Sequence, residues 1–109
     1  MSEFVVPISS TGGGVLGYTL TTSPQQVVTA NIQNTRLMFV NVGGTNTAYV
    51  CQQKDANGSS LTAGANPGNF PILPGAVWVI VGQGAQSAWF AATSSSTTPI
   101  TVVAVQDAP

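Results

Sequence analysis

Six consecutive residues, Ala76-Val77-Trp78-Val79-Ile80-Val81, are apolar and mostly β-branched, with Leu73-Pro74-Gly75 before them and Gly82-Gln83-Gly84 behind. A run this short between turn residues is too brief for a buried helix and predicts a buried strand. Leu73-Pro74-Gly75 places proline second and glycine third, as a tight turn requires. The segment Gly82-Gln83-Gly84-Ala85-Gln86 is expected to reverse the chain into Ser87-Ala88-Trp89-Phe90-Ala91-Ala92. Both tryptophans then fall on one central hairpin, with Trp89 and Phe90 on opposite faces.

The rest of the chain repeats this grammar. Phe4-Val5-Val6-Pro7-Ile8 reads as an extended arm, confined to an edge or outside the sheets because Pro7 has no N–H to donate. Ser9 to Gly14 is a glycine-rich joint, and Val15 to Leu20 is a weak strand. Gln26 to Ala30 is a short strand, followed by a polar turn at Asn31 to Asn34. Thr35 to Val42 is a strong strand, with Leu37 and Phe39 on one face and Met38, Val40 and Val42 on the other. Neither face is polar enough to be simply wet. Gly43 to Asn46 turns the chain into Thr47 to Gln52, Lys54 to Gly58 is an exposed turn ending in Asn-Gly, and Ser59 to Asn69 is a loop. Ser94 to Pro99 is a polar turn and Ile100 to Val105 the closing strand. About eight short strands, turn signals every eight to twelve residues and no helical periodicity predict an all-β chain: a single antiparallel β-sandwich or jelly roll. The division is an arm and hinge over 1-14 and a sandwich over 15-109.

Function is constrained chiefly by what is scarce. Charged residues make up 5% of the 109 residues: Glu3, Arg36, Lys54, Asp55 and Asp107, for a net charge of -1. Average globular proteins carry roughly a quarter. Two cations cannot neutralise a run of phosphates, so nucleic acid is not an expected partner, and no basic patch addresses an anionic membrane. No apolar window approaches the roughly 18 residues of a membrane span. Met1-Ser2-Glu3-Phe4 lacks the basic start of a signal peptide, so folding is expected in the cytoplasm. So little net charge gives weak colloidal repulsion, which points to an assembly as the working form.

Catalysis fails on inventory. There is no histidine, so the usual general base, the commonest metal ligand and the Ser-His-Asp and Cys-His sites are missing. Glu3, Asp55 and Asp107 belong to an arm, a turn and a tail, which does not suit the paired carboxyl groups of a glycosidase. Lys54 stands beside Asp55 in a turn, where solvation is the ordinary outcome. Gly12-Gly13-Gly14 leads into Val15-Leu16 without the Lys-Ser/Thr of a phosphate loop. The lone Cys51 excludes an internal disulfide and reads as a small packed hydrophobe. No enzyme, cofactor or metal is expected. Trp78 and Trp89 read as core. A carbohydrate-stacking surface built from Trp89 and Tyr49 is the alternative from another class.

Arg36 to Gly43, Ala48-Tyr49-Val50, Phe70 to Gly75, Trp89 to Thr93 and Ile100 to Val105 together set out a pattern. A strand ending in Asn-x-Gly precedes a hairpin, a Leu-Pro-Gly turn, a tryptophan strand ending in Ala-Ala-Thr, and a valine-rich closing strand. Over roughly Gln33 to Val105 this resembles small accessory virion proteins of tailed bacteriophages. The resemblance implies a β-sandwich or jelly roll, acting as a capsid decoration (cement) protein on the outer shell. The implied partners are the major capsid protein and other copies of the chain, as a dimer or trimer, and no catalytic residue is implied. Tail, neck and fibre components share such domains and form the alternative. The expected contact residues are Phe4, Val5, Val6, Ile8 and Tyr18 of the arm region, with Arg36 as an interface arginine.

Overall fold

The computed structural model describes residues 14–106, and the expected arm of Phe4 to Ile8 lies outside them. Eight strands succeed one another: β1 (Gly14–Leu20), β2 (Gln25–Val28), β3 (Arg36–Asn41), β4 (Ala48–Gln52), β5 (Phe70–Ile72), β6 (Val77–Val81), β7 (Trp89–Thr93) and β8 (Thr98–Val105). They form two four-stranded sheets, ordered β1-β8-β3-β6 and β2-β7-β4-β5, and every pairing is antiparallel. The closing strand β8 is therefore not an edge. It lies between β1 and β3, where an unbroken β-branched run is buried on both faces. The pairs β1 with β8, β2 with β7, β3 with β6 and β4 with β5 nest one inside the next.

Strand alternation assigns the faces. On the first sheet, Leu37 stands opposite Ala104 and Ile80, and Phe39 opposite Val102 and Trp78. These point inward, towards Ala48, Val50, Ile72, Trp89 and Ala91 of the second sheet, and all but the partly buried Trp78 and Ile80 are buried. The aromatic rings meet in the middle, with the Phe39 centroid 5.6 Å from Trp89 and 6.4 Å from Trp78. The Trp89 ring N–H donates to the Gly84 carbonyl at 2.8 Å, which satisfies the one polar atom of a buried indole. Polar residues that enter the interior are likewise bonded. Asn41 donates to the carbonyls of Asn46 (2.9 Å) and Ile72 (2.8 Å) and accepts from the Gly43 N–H (2.9 Å), and the Thr93 and Thr98 hydroxyls lie 2.6 Å apart.

The expected central hairpin is not formed. β6 pairs with β3 in the first sheet and β7 with β2 and β4 in the second, so the two tryptophan strands belong to different layers. Gly82–Gln86 is a 3-10 turn that carries the chain from one layer to the other, with Ala85 buried beneath it. Nor is Val77–Val81 a buried strand: it is the edge of its sheet, and its burial alternates between exposed and half-buried. Leu73-Pro74-Gly75 does form the expected turn. The Ala76 N–H donates to the Leu73 carbonyl at 2.9 Å, and Gly75 takes φ 80°, open to glycine at little cost. This turn also bridges the layers, from edge strand β5 to edge strand β6. The turn of Gly43 to Asn46 is a third such crossing, from β3 to β4, in place of the expected hairpin.

β5 lies between the loop of Ser59 to Asn69 and the Leu73-Pro74-Gly75 turn, in residues given no element from the sequence, and it is short because Pro71 interrupts its donors. The loop before it folds back over the second sheet, where Leu61 and Ala63 cover Cys51, Ala92 and Phe90. Cys51 is a buried packing residue, as its setting in an alternating strand predicts. Burial pushes its thiol pKa above the ordinary value.

Candidate interaction surface

Both outer faces of the sandwich carry apolar residues that are out of water. The second sheet is partly roofed by the loop between β4 and β5, so Cys51 and Ala92 are out of water. The outward positions of the first sheet are largely apolar, seven of them valine: Val15 with Gly17 and Thr19 on β1, Val103 and Val105 with Pro99 and Thr101 on β8, Met38 and Val40 with Arg36 on β3, and Val77, Val79 and Val81 on β6. Met38, Val103 and Val105 form a buried cluster of their own, separate from the core between the layers. Val15 is 56% exposed, Val77 52%, Val79 48% and Val81 64%.

An antiparallel sheet with one solvated face ordinarily alternates apolar-in with polar-out. Here most of the outward set is apolar as well. Scattered surface hydrophobes need no explanation, but a contiguous apolar patch marks an interaction site. Arg36 is the charged residue on this face, at its corner opposite Val81 and Val105, and it is exposed. A guanidinium at the rim of an apolar patch is the ordinary arrangement of a protein–protein interface.

The other expected contact residues are not gathered here. Tyr18 stands opposite Ile100 on the inner face of β1 and packs against the core. It lines a cavity of about 350 Å³ on the open side of the sandwich between β1 and β2, with Leu16, Val27, Val28, Asn34 and Val102. Phe4, Val5, Val6 and Ile8 fall outside the described residues. The structure thus separates Arg36 and Tyr18 onto opposite faces of one sheet. The valines of β6 were missed because their strand was expected to be buried. Yet the signal was present, since a strand apolar on both sides at an edge must show one side to something other than core.

The carbohydrate surface of Trp89 and Tyr49 does not form. Trp89 is 2% exposed and points inward, while Tyr49, three residues from the Gln52 that pairs with Trp89, points outward. A second cavity of about 300 Å³ lies on that outer side, lined by Pro24, Gln53, Leu61, Thr62 and Phe90, without an acidic group. Asp55 is occupied in its own turn, accepting from the N–H groups of Asn57 and Ser59 at 2.9 Å. Among the described residues no group of three or more histidine, cysteine or acidic side chains converges on a common point, and no helix is long and apolar enough to cross a membrane. Compared with known proteins, the chain matches no family model, no curated protein and no solved structure.

Proposed function

We propose that this chain is a structural virion protein, a capsid decoration protein that attaches to the outside of a tailed-phage head and stabilises the shell by protein–protein contacts. The observation that carries the reading is the outer face of the first sheet, where the edge strand β6 exposes Val77, Val79 and Val81 and the opposite edge exposes Val15, with Arg36 at the corner. Such a face is suited to adhesion by apolar burial, and it sits in a chain with only 5% charged residues. Its resemblance to accessory virion proteins supplies the setting. The nested pairing, β1 with β8 through β4 with β5, is what rolling one long hairpin yields. We therefore read the sandwich as a jelly roll, an architecture common in capsid components.

In this reading the major capsid protein and neighbouring copies are the partners, and residues 1-14 act as an arm that adds contacts to the shell. Each contact is modest, and repetition over a symmetric surface makes the attachment firm. Quantitative mass spectrometry of purified particles tests it: decoration gives a copy number comparable with that of the major capsid protein. A few to some tens of copies would place the chain in the tail, neck or fibre instead, and its absence would end the virion reading.

A further inference from the structure

Edge strands of native sheets are usually blunted against pairing by shortness, proline, bulges or charge. Two of the four edges here follow that rule. β5 has three residues and includes Pro71, and β2 has four and a register shift between Gln26 and Val28. β1 is seven residues in unbroken register with β8, but it carries Gly17 at its centre, where a glycine weakens a strand. β6 has none of these devices. It is Val-Trp-Val-Ile-Val, uncharged, without glycine or proline and in unbroken register with β3.

The phase of its hydrogen bonds follows from its two ends. The Gly82 N–H donates to the Thr35 carbonyl and the Asn41 N–H to the Ala76 carbonyl, so the narrow pairs of the β3–β6 ladder are Leu37 with Ile80 and Phe39 with Trp78. The main-chain groups of Val77, Val79 and Val81 therefore point away from β3. They have no backbone partner among the described residues. Their side chains are the most exposed apolar groups of the outer face after Val15 is set beside them.

We infer that the partner of this edge is a second copy of the chain, with β6 pairing antiparallel to its own symmetry mate about a two-fold axis through Val79. In that register Val79 faces Val79 of the second copy and Val77 faces Val81. Every outward group is then used, in three narrow pairs exchanging two bonds each, about six bonds in all. Residues directly opposite in an antiparallel pair share a face, so valine meets valine on the outside and Trp78 meets Ile80 within. The two first sheets become one eight-stranded sheet, with the β6 valines of both copies side by side on its outer face.

Charge permits it. Arg36 lies one strand in from the edge, opposite Val81, and the two-fold sends its mate to the other end of the joint. With strands about 4.8 Å apart and residues about 3.3 Å apart, the two guanidinium-bearing positions are roughly 19 Å from each other, beyond the Debye length. The edge of one five-residue strand buries well under the roughly 800 Å² per partner of a standard stable interface. The dimer is consequently weak in dilute solution and fills at the roughly millimolar local concentrations of molecules held on a common surface.

Sedimentation equilibrium of the full chain, with hydrogen exchange of the Val77, Val79 and Val81 amides, tests the pairing. The weight-average mass is expected to rise with concentration towards twice the chain mass, and those three amides to gain protection in step. Val79→Lys places two ammonium groups at the axis and is expected to hold the mass at that of one chain at every concentration, with an unchanged circular dichroism spectrum. Val15→Lys, on the same face but on the far edge strand, is expected to dimerise as the wild type does. A monomeric wild type up to about millimolar concentration, protected amides in a monomer, a dimeric Val79→Lys, or equal loss with Val15→Lys would each overturn it. All of these are read without particles, so they leave the copy-number test of the virion reading untouched.

Discussion

The ring of Phe70 lies 4.2 Å from that of Trp78, inclined by 25°, although the two residues belong to edge strands of different sheets. The stack closes the sandwich along the β5/β6 side. It sits against Trp89, whose centroid is 5.8 Å from Trp78 and 6.4 Å from Phe70. Phe70 is 42% exposed, so one face of the stack meets water and the other meets core.

A double-mutant cycle of Phe70→Leu and Trp78→Leu, followed by urea unfolding, is expected to give a coupling of about 0.5–1.5 kcal/mol, the range of aromatic pairs beyond simple burial. Additive losses would mean that each ring acts only through its own contact with the core.

Asn41 ties three segments together, since its side chain bonds to the Asn46 and Ile72 carbonyls and to the Gly43 N–H. Asn41→Leu strands these groups in a buried site and is expected to lower stability by about 2–3 kcal/mol, on a cost of about 1–3 kcal/mol for a buried group left unpaired. A change in the urea midpoint too small to resolve would show that water replaces the side chain at no cost.

Gly75 has φ 80° with open space around the position of a Cβ, whereas Gly17 has open space without a positive φ. Gly75→Ala is therefore expected to cost about 1 kcal/mol through backbone strain alone. Gly17→Ala is expected to be neutral or to stabilise by up to about 1 kcal/mol, by restricting the unfolded chain. Thermal melts of the two variants should move in opposite directions or differ clearly in size.

Burial raises the Cys51 thiol above its ordinary value of 9.0. Its contribution is complete below that pH. Above it the unfolded thiol ionises while the folded one keeps its proton, so unfolding releases a proton and stability falls as pH rises. The slope approaches about 1.4 kcal/mol per pH unit until the folded thiol also ionises. Urea midpoints between neutral pH and about pH 10 should fall more steeply for the wild type than for Cys51→Ala, and parallel curves would contradict this.

The strands were legible wherever apolar residues alternate or run together between turn residues, as in Arg36–Asn41, Ala48–Gln52 and Thr98–Val105. Their partners were not. Gly82–Gln86 carries as many turn-forming residues as a hairpin loop, yet it crosses between layers, with Ala85 packed beneath it and the Gly84 carbonyl accepting from the Trp89 ring. For the same reason the exposure of Val77, Val79 and Val81 was hidden. A continuous valine run looks identical in a buried strand and in an edge strand whose outer face awaits a partner. β5 leaves little trace in the sequence because it is three residues long and holds Pro71, and an edge is where a strand tolerates a proline. The inward position of Trp89 followed from its strand phase, which sequence alone leaves free to point either way.

The central claim is that the valine face of the first sheet is the adhesive surface, and adsorption of the purified protein to particles lacking it tests that most directly. The measurement compares the wild type with a Val77→Thr, Val79→Thr, Val81→Thr variant, which keeps side-chain shape and β preference while making the face polar. The expected result is wild-type adsorption undiminished at about 1 M salt, where ionic contacts are screened, and loss of adsorption by the folded variant. Normal adsorption by the variant, or release of the wild type by salt, would contradict the claim.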